Sequence, residues 1–219
     1  MKRTLLWSVG FLFFLLASGP SHGKDLEIKG RAIVSKRPPF SISLSGALQQ
    51  VHSTSVEHRE ENSHTGTDYF VGGQKKRIEE MAIVQIATKT NPQAGPMLVP
   101  PLKPFDEKRM YKSGKVKRGE TEIEYLIQLM AWNPNAPSLQ PILKKGWTLA
   151  PQWAMQAQIL FQPDLDHAVL IRFVKDTRSF GLNVSGEEGP WNKTSISGNE
   201  KEVYEIFQKM VTGMIESLK

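Results

Sequence analysis

The chain of 219 residues contains no cysteine, and that one absence excludes several chemistries. Disulfides, thiolate metal sites, cysteine nucleophiles and a lipid-modified N-terminal cysteine all require a residue it lacks. The spacing Gly-x-Ser-x-Gly occurs only at Gly19–Gly23 beside the apolar N-terminal run, with no elbow of that kind in residues 24–219, and no Ser-x-x-Lys beside a matching Lys-Thr-Gly and no His-Glu-x-x-His occurs in the chain, so the familiar nucleophile and zinc-hydrolase signatures are missing from the expected domain. The glycine-rich stretch Gly72-Gly73-Gln74-Lys75-Lys76 has neither the spacing nor the following Ser/Thr of a phosphate-binding loop. An enzyme reading has no motif behind it, and neither a cofactor nor a metal is expected.

Long hydrophobic runs are also lacking. The longest, residues 5–17 (LLWSVGFLFFLLA), falls short of the roughly 20 apolar residues needed to cross a hydrocarbon core. It follows the cationic Met1-Lys2-Arg3 and precedes small residues at Ser21 and Gly23, the layout of a secretory signal peptide. Residues 1–23 are therefore expected to be a signal, cleaved after Gly23, and residues 24–219 a single globular domain with no transmembrane segment. An exported, cysteine-free protein suits a bacterial periplasm or cell surface, where it would be soluble once cleaved. The sequons at Asn183 and Asn192 then read as chance.

What the chain does contain is strong strand periodicity. Phe40, Ile42 and Leu44 alternate with serines, and Ile123, Tyr125, Ile127 and Leu129 alternate with polar residues. The same period of two runs through Trp153, Met155, Ala157, Ile159 and Phe161, and through Val169, Ile171 and Phe173. Pro163-Asp164-Leu165-Asp166 between the last two predicts a hairpin turn. Met81–Ala87 is apolar on both faces, as in the middle of a sheet. Residues 47–72 predict a strand pair turning at 62–66.

One helix is expected from Val203 onward. Val203, Ile206, Phe207, Met210, Val211, Met214, Ile215 and Leu218 form a continuous stripe at helical spacing, with Asn199 placed as the cap. Residues 91–105 and 133–141 are rich in proline and predict extended loops. Ser185–Gly189 (SGEEG) reads as a turn. Antiparallel strands closed by one amphipathic helix indicate an α+β fold, an antiparallel β-sheet packed against the C-terminal helix, with an α/β/α sandwich left open.

In this order of elements, beginning with the strand Pro38-Pro39-Phe40-Ser41-Ile42-Ser43-Leu44, the chain resembles the exported PsbP-like α/β sandwich proteins over roughly residues 35–219. Where that family has Pro-Gly-Trp after the first strand, Ser45-Gly46-Ala47 stands here. The family shares no catalytic site, so the resemblance implies a binding or accessory role and transfers no residue.

Two clusters are candidate sites. Lys103, Lys108, Arg109, Lys112, Lys115, Lys117 and Arg118 form the densest positive segment of a chain with formal net charge +6. In an exported protein such a segment suits an acidic partner protein or an anionic envelope surface rather than nucleic acid. His52, His58 and His64 recur every six residues, too far apart along an ideal strand for one metal. A bend near Asn62 would bring His58 and His64 together, with Asp68, Glu60 or Glu61 as a third ligand, and this supplies the alternative of a metal-dependent or hydrolytic enzyme.

Overall fold

A computed structural model describes residues 25–91, 93, 95–149, 153–181 and 198–219, with the backbone alone at Lys108 and Asn199. It is an α+β structure built on two antiparallel sheets. Strands β1 (Leu26–Lys29), β2 (Ala32–Lys36) and β3 (Pro39–Ser43) form a small sheet in the order β1-β2-β3. A second sheet holds β4 (Gln49–His58), β5 (Ser63–Gly72), β6 (Glu80–Lys89), β7 (Met110–Arg118), β8 (Thr121–Ala131), β9 (Trp153–Phe161) and β10 (His167–Asp176). Its order is β4-β5-β6-β10-β9-β8-β7. Two α-helices are described, the single turn α1 (Gln140–Leu143) and α2 (Gly198–Ser217), with short 3-10 turns at Glu107–Arg109 and Thr177–Phe180.

The alternating segments become strands because that period gives each one an apolar face. On β3, β8, β9 and β10 the apolar set turns toward α2 and the small sheet, where Phe40, Ile42, Ile123, Ile127, Ile159, Ile171 and Phe173 share one core. β6 pairs with both β5 and β10, and its two-sided apolar run lies in the middle of the sheet as expected. The turn after β9 closes through Asp164, which accepts a 2.8 Å hydrogen bond from the Asp166 amide.

α2 seals this first face. Val203, Phe207, Val211, Met214 and Ile215 are buried in it. Each full burial contributes about 1.5–3 kcal/mol by removing apolar surface from water. Phe207 stacks on Phe173 at 5.9 Å and meets Phe180 edge-on at 6.3 Å. The terminal Lys219 exchanges backbone hydrogen bonds with Ser41 on β3, tying the helix to the small sheet.

Several expectations change. β1 and β2 precede the strand read as first; only four and five residues long, they carry too short an alternation to stand out. The turn between β4 and β5 occupies 59–62, so residues 63–66 belong to β5. Ile206, part of the helical stripe, is 41% exposed, and Met210 is only half-buried, because the contact face of α2 is narrower than its apolar stripe. The helix begins at Gly198, ahead of the expected cap. The signal segment 1–23, both sequons and the 185–189 turn lie outside the described residues.

The opposite face of the large sheet carries one helical turn and loops, among the described residues, rather than a second long helix. At one end the segment 132–149 packs Trp132, Leu139, Ile142 and Trp147 onto Tyr69, Val71, Met81, Ile83 and Val174. Pro141 enters the first turn of α1 rather than an extended loop, a position where its missing N–H costs nothing. Over β8 runs the other proline-rich loop, its Leu102 and Phe105 amides donating to Glu124 Oε1 at 3.0 Å and Gln128 Oε1 at 2.9 Å. No described helix is long and apolar enough to cross a membrane.

Candidate functional site

The positive segment falls mainly on β7, an edge strand, and the period of two divides it between faces. Lys112 and Arg118 lie opposite Ile127 and Thr121, whereas Lys115 and Lys117 lie opposite Glu124 and Glu122. Lys115 is bonded to Glu122 at 2.6 Å, a hydrogen bond that raises its pKa, as does the carboxylate's charge. Arg109 pairs with Asp106 at 3.6 Å and lies 4.1 Å over the Trp153 ring. Arg118 donates to the Glu216 carbonyl at the end of α2. Lys103 and Lys117 stand exposed; the Lys108 side chain lies outside the described residues. The acids that lie opposite Lys115 and Lys117 come from the returning strand of the hairpin, so linear charge counting does not pair them.

The histidines are not brought together. His58 pairs with Ser63 and Glu57 with His64 across the β4–β5 hairpin, which places His58 and His64 on opposite faces of the sheet. Asp68 shares a face with His64 but lies four residues along the strand, roughly 13 Å away at the rise of a β-strand. It accepts hydrogen bonds from Ser53 and from Gln50 Nε2. Among the described residues no group of three or more His, Asp and Glu side chains could hold a metal ion. His52 sits over Tyr69, ring centroids 5.7 Å apart. Burial and then the Lys145 charge lower its pKa, against the opposing pull of Asp68.

A polar cleft of about 390 Å³ opens at the sheet end between Gly46, Gly72, Gly73 and the ends of β6 and β10. Glycine is required here: Gly73 has φ 152°, and a Cβ on it would overlap the Arg77 carbonyl oxygen. The charges in the cleft are spent on one another. Glu80 pairs with Lys175, Arg77 with Glu79 at 3.4 Å, and Asp176 with Arg178 at 2.6 Å, while the Ser45 hydroxyl also donates to Glu80. A site whose ions are satisfied internally has little left to offer a ligand.

The loop-bearing face of the large sheet differs. Cross-strand register sets Arg172 between Ile83 and Gln158, with Tyr69 one strand further on, and sets Leu170 between Gln85 and Leu160. Tyr69, Thr67 and Gln158 are buried, whereas Arg172, Leu170, Gln85 and Leu160 are half-buried and contiguous. They lie between the 132–149 lobe and the proline-rich loop. Arg172 Nε is buried with no hydrogen-bond partner, and so is Gln85 Oε1; the Gln85 amide nitrogen donates to Thr67 Oγ1 at 3.3 Å. Desolvation lowers the Arg172 pKa, Tyr69 opposing, but guanidinium stays charged at any physiological pH. Only the Nε is sealed without a partner, the residue as a whole being half-buried, and a buried donor left unmade is costly.

Neither Arg172 nor Gln85 stands out by motif. The available signal is a lone arginine inside the apolar run Val169–Val174 (VLIRFV), where the alternation puts it on a sheet face. Comparison with known proteins finds no matching family model, no matching curated protein and no matching solved structure.

Proposed function

We propose that the chain is a non-enzymatic binding or accessory protein of the periplasm or cell envelope, holding an anionic group on the loop-bearing face of its large sheet. The observation that carries the reading is Arg172, a sheet-embedded guanidinium whose Nε has no partner. Proteins keep such a group at a cost in stability where binding needs it. The resemblance of the sequence to the PsbP-like proteins in order of elements implies an accessory role.

The test separates binding from scaffolding. Arg172→Met removes an unsatisfied donor while keeping an apolar stem, and is expected to raise the unfolding free energy by about 1 kcal/mol while abolishing retention of any anion seen by native mass spectrometry. A lowered denaturation midpoint would make Arg172 a structural residue instead.

Two further expectations belong to this reading. Intact mass of the exported protein should correspond to a chain beginning at Lys24, and retention of residues 1–23 would count against a cleaved signal. The cations of β7, exposed at Lys115 and Lys117 and half-buried at Lys112, act in steering an acidic protein or anionic surface toward the domain. Lys112→Glu with Lys115→Glu and Lys117→Glu should slow association at low salt, an effect that fades as the Debye length shrinks to about 8 Å at physiological ionic strength. Equal association rates for wild type and triple variant at low salt would reduce the segment to protection of a sheet edge.

A further inference from the structure

Resting on the reading that the β7 cations steer an acidic protein to the domain, we infer that this partner adds an extended antiparallel strand, alternating acidic with β-branched residues, to the outer edge of β7. The backbone of that edge, its charge and its relief each define one part of the occupant.

β7 ends the order of the large sheet and pairs with β8 alone. Arg118 and Thr121 flank the two-residue turn Gly119–Glu120, with Gly119 at φ 59°. In such a hairpin the flanking pair shares its hydrogen bonds and every second pair repeats them. Arg118, Val116 and Gly114 therefore direct their backbone groups to β8, and the N–H and C=O of Ser113, Lys115 and Lys117 point away from it. No described backbone group meets them. A row of such donors and acceptors is a template for one more strand, antiparallel like every pairing of named strands in this sheet.

Charge selects the strand. On the loop-bearing face Lys115 and Lys117 lie opposite Glu124 and Glu122, with Lys115 bonded to Glu122 at 2.6 Å, so from afar the four charges cancel. An added strand meets them unequally. Its backbone lies about 5 Å from β7 and about 10 Å from β8, and exposed charges are screened beyond about 8 Å at physiological ionic strength. Acidic side chains on that face continue the alternation of sign from strand to strand. A second β7 would set lysine against lysine, which destabilises pairing.

The face toward α2 differs. Gly114 makes room there for Tyr125: a Cβ on it would lie 3.0–3.1 Å from the tyrosine ring and hydroxyl. This half-buried ring and Val116, 37% exposed, form an apolar strip along the edge between Lys112 and Arg118. β-Branched side chains suit a strand and lose water against that strip.

The experiment follows amide hydrogen exchange in the folded chain labelled with ¹⁵N. The probe is the acetylated, amidated peptide TEVEVET, compared with TKVKVKT and with TEVEVET N-methylated at its three glutamate amides. Saturating TEVEVET should slow exchange at Ser113, Lys115 and Lys117 at least tenfold and leave Gly114 and Val116, already bonded to β8, unchanged. The N-methylated peptide should bind at least tenfold more weakly, as loss of two or three hydrogen bonds implies, and TKVKVKT should bind as weakly at low salt. Lys115→Glu with Lys117→Glu should reverse the preference between the two charged peptides at an unchanged melting temperature. Equal binding of TEVEVET and its N-methylated form on the wild-type chain would overturn strand addition, while the acidic-partner reading stands if TEVEVET still outbinds TKVKVKT. Concentration-dependent protection of the three amides in the chain alone would assign the edge to a second copy, and protection by phosphatidylglycerol vesicles but not by peptide would assign it to a lipid surface; either result overturns the inference. If neither peptide binds, the inference falls, and an unchanged association rate in the triple lysine variant takes the acidic-partner reading with it.

Discussion

Phe207→Ala is expected to destabilise the protein by about 3 to 5 kcal/mol, the usual loss on emptying a core aromatic site. The ring is fully buried and bridges α2 to Phe173 of β10 and to Phe180. Removing it leaves a cavity that neither rigid neighbour can fill. Since a domain's whole stability is about 5 to 15 kcal/mol, the variant should show a strongly lowered midpoint in urea or heat. A midpoint equal to wild type would mean that α2 does not seal the core.

The second large effect is expected at the sheet end, where Lys175→Met strands the Glu80 carboxylate. Glu80 and Lys175 face each other across β6 and β10, with side chains only 11% and 15% exposed. Desolvation already lowers the lysine's pKa, against the raising influence of Glu79. Leaving a buried carboxylate without its cation costs about 3 kcal/mol, the low end of the range for breaking a buried pair, because Ser45 still donates to it. Adding Glu80→Gln should restore most of the loss, and a double-mutant cycle would read the coupling directly. Additive effects of the two substitutions would show that the carboxylate is solvated rather than dependent on Lys175.

Much of the fold was legible from periodicity. β9 spans Trp153–Phe161, the same residues that alternate in the sequence, because its large apolar side chains all fall on the face toward α2, although Ala154, Gln156 and Gln158 on the other face are buried too. The core of α2 was legible in the same way, apart from Ile206 and Met210, whose exposure depends on how wide a face the sheet offers. β1 and β2 were not, since four or five residues carry too few repeats. Site residues were far less legible. The cations of residues 103–118 form one cluster in sequence, yet a strand sends neighbours to opposite faces and supplies Glu122 and Glu124 from the next strand. His58 and His64 look poised to meet until the hairpin register separates them.

By itself the sequence determined the exclusion of cysteine chemistry, the expectation of export, the α+β class and which faces of the main strands are apolar, all properties of composition and local period. Tertiary structure alone decided which strands stand side by side. The order β5-β6-β10-β9 draws Thr67, Gln85, Arg172 and Gln158 from segments scattered over some hundred residues into one patch. Whether an arginine is paired depends on its neighbours across strands and through packing, and these non-local contacts leave no periodic trace along the chain.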